Sequence, residues 1–384
     1  MTYSEISKKF NFELPVYAKD YFDGFINEYD RKIDVITAEN AAYVADTAGL
    51  PEDGKEMLIK CVNAVNTSDD AHICASFLAY LTVYKRAPWL NYIYQDDHFT
   101  VEGLKKEQVG WVLVATMLAN TLINKKPPED LNAENLNSFK AYSINCLNTK
   151  GYWGINEWHW NMLCASGSMF MFGILKFVPS EFTGDFPVIT DGNSYVSLAG
   201  GEFFVGKDGE LVNCEEKSVF KTSFYEDEQK YVANVISKDG KVSPECKEFD
   251  KSVWSDFLRG GSHTIDIHIP AKVEYTPEKF KEAFTMALEF FKSYYPDHKT
   301  KAFACYSWIL SPQLPYVLPE NSKILKVNEK LHILPTIGTF DGDLMFIRKG
   351  SSLQERLNNE IANGREFHFG IMYSPISELE DLDK

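Results

Sequence analysis

The sequence predicts an α+β protein: an all-helical N-terminal domain over residues 1–169, then an α/β domain with a mixed sheet over residues 170–384. Three observations carry this reading. Apolar residues recur at helical spacing from about Leu14 to Met171. Near Phe170 that period gives way to short β-rich runs separated by Asp-Gly turn pairs. From residue 264 onward such runs alternate with amphipathic helices, as in an α/β domain. A chain of 384 residues also exceeds the ~100–200 residues usual for one domain.

In the first half, Ile73, Phe77, Leu81 and Tyr84 step by four, four and three, and Trp111, Val114, Ala115, Leu118 and Leu122 mark a second amphipathic helix. Gly49-Leu50-Pro51, Pro88 and the stretch 125–130 are loops between helices. Glu157 and Asn161 form an i, i+4 polar pair among Trp153, Trp158, His159 and Trp160. This cluster lines a pocket between the domains or is aromatic packing.

In the second half, 173–179 (GILKFVP) is a short apolar run ending in Pro. Asp191-Gly192, Lys207-Asp208-Gly209 and Lys238-Asp239-Gly240 are hairpin turns, the clearest inside YVANVISKDGKV. Strands follow at 264–270 and 302–310, a short helical stretch at 312–323, strands near 324–334 and 343–349, a helix at 352–363 and a last strand at 365–373. The helix from 277 to 295 is the best defined. Thr276 is its N-cap, Pro277 sits where no donor is lost, and Glu278 complements the dipole. Phe280, Ala283, Phe284, Ala287 and Phe291 form its buried stripe, and Pro296 ends it.

With 45% apolar and 14% aromatic residues the chain is an ordinary globular protein rather than a disordered one. Its 39 basic against 55 acidic residues give a net charge of −16, which sets nucleic acid and anionic membranes against the field of the whole molecule. Seven scattered cysteines without a C-x-x-C pair read as free thiols in a reducing compartment. The N-terminus lacks the apolar core of a signal peptide. The stretches 111–123 and 162–178 are too short for a membrane span or are interrupted by Asn120, Gly167, Gly173 and Lys176, so the expected location is the cytoplasm. H-E-x-x-H, EF-hand, P-loop and G-x-S-x-G motifs are missing, and the sequence predicts no metal.

The run IDIHIPA (265–271), the capped helix after it, ACYSWILSPQL (304–314), LPENSKI (318–324) and SLQERL (352–357) before a final strand resemble a family of bacterial two-domain acyltransferases. Those proteins join a helical N-terminal domain to a GNAT-like C-terminal domain, and the resemblance covers roughly 170–375. It implies a GNAT-like fold and transfer of an acyl group from acyl-CoA to an amine on a small molecule or peptide. It also implies that the strand of 264–270 and that of 302–310 splay apart around the coenzyme, with Ile269, Lys272, Glu278 and Lys279 as its binding residues and the pyrophosphate at the helix N-terminus. The usual glycine-rich phosphate pattern is replaced by Ala271-Lys272-Val273-Glu274-Tyr275-Thr276-Pro277. A non-catalytic binding protein that has lost its phosphate loop is therefore the alternative, and a housing for another acyl donor, such as an acyl carrier protein, is a third reading.

His268 is the candidate base, because an imidazole titrates near neutrality and alternation puts it with Thr264, Asp266 and Pro270 on the polar face of its strand. A hydrogen-bonded structural histidine is the competing reading. Ser307 or Tyr306 is the candidate acid for the departing thiolate, with Ser307 preferred. Relatives commonly carry His before this serine, and Tyr306 departs from that pattern. Cys305 reads as a packed small apolar residue, and Glu157 is the next candidate base should His268 not serve.

Overall fold

A computed structural model of the chain describes residues 2, 4–5, 8, 22–26, 37–67, 69–83, 101–125, 129–165, 169–270, 273–344 and 346–383. Leu14, Tyr84, Pro88, residues 126–128, Gly167, Ala271 and Lys272, all singled out above, lie outside the described residues. The chain divides into two compact units, Met1–Met171 and Phe172–Lys384.

The first unit is helical, with α1 (Ala38–Ala48), α2 (Glu52–Asn66), α3 (Asp69–Val83), α4 (Lys106–Asn120), α5 (Glu129–Lys150) and α6 (Trp158–Ala165). Gly49 closes α1 in the left-handed region at φ 68°, where its amide reaches back to the carbonyls of Ala45 and Asp46. Helix α4 is buried almost all round. Its Trp111 stacks on Trp153 at 5.9 Å and on Phe139 at 6.3 Å. Among the described residues, no helix is long and apolar enough to cross a membrane.

From β1 (Phe170–Phe172), which spans the boundary, the chain runs on through β2 (Leu175–Glu181), β3 (Val188–Thr190), β4 (Tyr195–Leu198), β5 (Phe204–Val205), β6 (Phe220–Lys221), β7 (Phe224–Glu226), β8 (Lys230–Ile236), β9 (Val242–Asp250), β10 (Ser255–Leu258) and β11 (His263–His268). Then come α7 (Pro277–Tyr294), β12 (Ala302–Ser307), α8 (Lys323–Asn328), β13 (His332–Thr339), α9 (Ser352–Ala362) and β14 (His368–Pro375). A six-stranded sheet has the order β1-β2-β11-β12-β14-β13, and a second has the order β10-β3-β4-β8-β7 with β9 beside β8. The first is mixed, since β11 and β12 run parallel while β2 and β14 run antiparallel to them. The helical half followed by a mixed-sheet domain is the class the sequence predicts.

Each face of the mixed sheet is covered differently. On one, Phe284 of α7 stacks on Phe303 at 4.3 Å and meets Phe177 edge-on at 6.1 Å. On the other, Ala302, Ala304, Leu334 and Tyr373 share a core with Val188, Ile236 and Leu258 of the second sheet. Thr276 caps α7 and Pro277 opens it, as the sequence predicts.

Three elements differ from expectation. The strand at 302–310 stops at Ser307, because the chain turns through a 3₁₀ segment at Trp308–Leu310 and crosses over β14. That crossing needs Gly370, where a Cβ would run into the Leu310 carbonyl. Residues 324–328, expected to open a strand, belong to α8, because the Ser322 hydroxyl caps it by accepting the Ile324 amide. No strand forms at 343–344 or 346–349. Asp341 instead accepts the Asp343 amide in a tight turn, and Leu344 and Ile347 pack with Leu357 of α9. Gly370→Ala is expected to cost about 1–3 kcal/mol, since the opposing atom is backbone and cannot move aside. Urea denaturation measures it.

Candidate active site: an opened parallel ladder

The parallel register of β11 and β12 runs Thr264↔Ala302, Ile265↔Phe303 and Asp266↔Ala304 and goes no further. Both strands continue, each held by its outer neighbour. β11 stays paired with β2 to His268↔Lys176, and β12 stays paired with β14 to Ser307↔Gly370. The two strands therefore part at Asp266 and Ala304. Beyond that point their facing backbone groups have no ladder partner in each other, which makes the gap a place for a ligand that offers amides and carbonyls of its own.

Register also settles which side chains share a face. Asp266 and Ala304 are paired, so His268 falls on the same face as Tyr306, toward the second sheet. Ser307 falls on the opposite face with Phe303 and Cys305, toward α7. His268 and Tyr306 thus share a face that Ser307 does not, although the Tyr306 ring leans away from β11, over Phe369 of β14 toward Gly338 of β13.

The electrostatics correct one expectation. His268 does not titrate near neutrality. Burial pushes its imidazole down to about 4, and the neighbouring Lys176 ammonium adds to the effect. Asp266 moves the other way, raised by burial to about 6 against the hydroxyls of Ser180 and Thr264, the latter at 3.4 Å. Asp266 is the residue that sequence reasoning passed over. The alternation placing it beside His268 was visible, but a carboxylate between isoleucines gives no local sign that it is buried. Tyr306 is 56% exposed, stacks on Phe369 at 5.0 Å and has its phenol raised by partial burial, so it keeps its proton at neutral pH. Cys305 is buried, and that burial pushes its thiol far up, which fits the packed reading and not a nucleophile.

At the start of α7 the amides are largely spoken for. Pro277 has none, Lys279 donates to the Thr276 hydroxyl at 3.4 Å, and Phe280 donates to the Thr276 carbonyl at 3.1 Å. The Lys279 ammonium binds Glu282 at 2.7 Å, and the Glu278 carboxyl is lowered by its own amide and by Thr276. Of these contacts the Thr276 to Lys279 bond is long and is the one a stronger anion would displace.

With this geometry in place, the family described as the GNAT-like C-terminal domain matches residues 169–369. The chain belongs to this family. Among solved structures it is similar to an acyltransferase mutant in complex with octanoyl-CoA, with 14% identity, TM-score 0.54, and 98% of this chain and 99% of that one covered. It is also similar to an acyltransferase in complex with CoA and 10C-teicoplanin, and to one with decanoyl-CoA and teicoplanin, each at 14% identity and TM-score 0.53, covering 98% of this chain and 100% of theirs. At that identity the likeness is one of fold. Comparison with curated proteins finds no match.

In this GNAT-like domain the parting strands β11 and β12 flank α7, as the resemblance implies. Ile269 directly follows β11 and Lys272 lies outside the described residues. Glu157 belongs to the helical unit. It precedes α6 with φ 50°, so it is not on the helix, and its link to Asn161 runs through its own carbonyl, which accepts from the Asn161 amide and side chain at 3.0 Å each. The expected i, i+4 side-chain pair on one helical face is thus corrected. Trp153 is buried within the same unit and donates to Asp53 at 3.0 Å. Among the described residues no group of His, Cys, Asp or Glu is arranged to hold a metal ion.

Proposed function

We propose that the chain is an N-acyltransferase that moves an acyl group from acyl-CoA to an amine on a small molecule or peptide. The observation that carries the reading is the opened ladder, with Asp266, His268 and Tyr306 on one face of the gap. The acyl-CoA complexes of the fold's neighbours support it. The pantetheine lies in the gap, its amides pairing with the strand edges beyond Asp266 and Ala304, and the pyrophosphate lies by Glu278 and Lys279 after displacing the Thr276 hydroxyl.

Acyl transfer forms one C–N bond and breaks one C–S bond. The acceptor ammonium must lose a proton before its nitrogen attacks, and the leaving thiolate must gain one. His268 is neutral at pH 7 and takes the acceptor's proton, which a bridging water relays to Asp266 two residues back on the same strand face. The higher affinity of Asp266, about 6 against about 4, makes that transfer downhill. Tyr306 gives its phenolic proton to the thiolate and is restored by the second proton, which the nitrogen sheds as the amide forms. Ser307, on the other face, lines the gap toward α7.

A reading without catalysis draws on one observation, the self-capped and glycine-free start of α7. Melting curves with and without acyl-CoA separate the two. At 100 times Kd a ligand stabilises by about 2.7 kcal/mol, and thiol release on adding an amine acceptor then shows transfer. A stabilised protein that releases no thiol with a panel of amines supports the binding protein. The buried free cysteines Cys61, Cys146, Cys164 and Cys305 fit a reducing compartment, and we place the protein in the cytoplasm.

A further inference from the structure

A cavity of about 430 Å³ lies in the second unit and shares no residue with the opened ladder. Small-ligand sites occupy ~300–1,000 Å³. Its cations, Lys238 and Lys241, come from the turn joining β8 and β9. Asp239 of the same turn also lines it, the carboxylates Glu320 and Glu329 come from the two flanks of α8, and Pro312, Leu325 and Ile333 supply apolar surface.

The backbone that carries each charge set is anchored, and the two sets do not close on each other. Gly240, at φ 86°, lets the turn rest against Pro312 and Ile333, where a Cβ would come within 2.9 Å of the proline ring. The Ile333 amide donates to the Lys238 carbonyl at 2.9 Å, tying the turn to β13. On the other side the Asn328 amide group donates to the Ile309 carbonyl at 2.8 Å. Lys241 finds its ion partner in Asp239 of its own turn at 3.9 Å, and Asp239 also accepts the Ser237 hydroxyl. Among the described residues no ion pair joins Lys238 or Lys241 to Glu320 or Glu329, although all four line one cavity.

We propose that this cavity binds a ligand bearing both a free ammonium and a free carboxylate on an apolar body: an amino acid or short peptide with an aliphatic side chain. The carboxylate pairs with Lys238 and Lys241, the ammonium with Glu320 and Glu329, and the side chain lies on Pro312, Leu325 and Ile333. The inference is independent of acyl transfer.

Isothermal titration with leucyl-leucine tests it, with N-acetylleucine amide as the uncharged counterpart. The dipeptide is expected to saturate with Kd on the order of 0.1–1 mM. The neutral compound should bind at least about tenfold more weakly, and K238A/K241A and E320Q/E329Q should each weaken the dipeptide by about tenfold. All four side chains sit at the surface of the cavity, and circular dichroism checks that the variants stay folded. Failure of the dipeptide to saturate, equal binding of the neutral compound, or undiminished binding by both variants overturns the proposal.

Discussion

His268→Gln and Asp266→Asn are each expected to lower turnover by about 10²-fold while moving stability in opposite directions with pH. For His268, the ordinary value of 6.5 falls to about 4 in the folded chain. Between those values the unfolded state binds the extra proton, so this group makes stability rise as pH rises. For Asp266, the ordinary value of 3.8 climbs to about 6. Between those values the folded state binds the extra proton, so this group makes stability fall as pH rises. The two contributions overlap from about pH 4 to about 6 and largely offset each other, with each alone giving a slope of about 1.4 kcal/mol per pH unit.

The single variants uncover what the parent chain hides. His268→Gln should leave a protein that loses stability from pH 4 to 6, and Asp266→Asn one that gains it over the same range. Above pH 6 Asp266→Asn should melt higher than the parent. It removes a carboxylate that burial disfavours and keeps a group able to bond the Thr264 and Ser180 hydroxyls. A less active but more stable Asn variant marks a residue retained for chemistry. If Asp266→Asn melts lower and works normally, Asp266 is structural.

Phe284→Ala is expected to cost about 3–5 kcal/mol, the largest effect of any single truncation proposed for this chain. Phe284 is fully buried, and its ring touches Phe280 at 5.7 Å, Phe177 at 6.1 Å and Phe303 at 4.3 Å. It is the point where α7 is fastened to both β2 and β12. Phe303 directly precedes Ala304, the last residue of the parallel ladder, so loosening it should also weaken acyl-CoA binding. Thermal melting of the variant, alone and with acyl-CoA, reads both effects. A loss under about 1 kcal/mol would mean that the rings relax around the gap.

What the sequence made legible is what local chemistry dictates. Thr276 and Pro277 announce α7, alternation in IDIHIP announces β11, and Lys-Asp-Gly announces the β8–β9 turn. Non-local facts were hidden. The end of β12 at Ser307 depends on Gly370, more than sixty residues on. The hairpins read as turns, but their union into a second sheet that covers Asp266's face depends on pairings such as β10 with β3. The same holds for the site. Which of Tyr306 and Ser307 shares a face with His268 follows from the β11–β12 register, and no pattern within either strand specifies it. The depressed imidazole and raised carboxyl follow from burial and from Lys176 and Ser180, all supplied by distant chain.

The central claim is that acyl-CoA occupies the gap where β11 and β12 part. A crystal structure with a non-hydrolysable acyl-CoA thioether tests it most directly. The account predicts the pantetheine between residues 267–269 and 305–307, its amides bonded to those strand edges, and the acyl carbon on the face of His268 and Tyr306. A coenzyme bound elsewhere, with the gap unfilled, would contradict it.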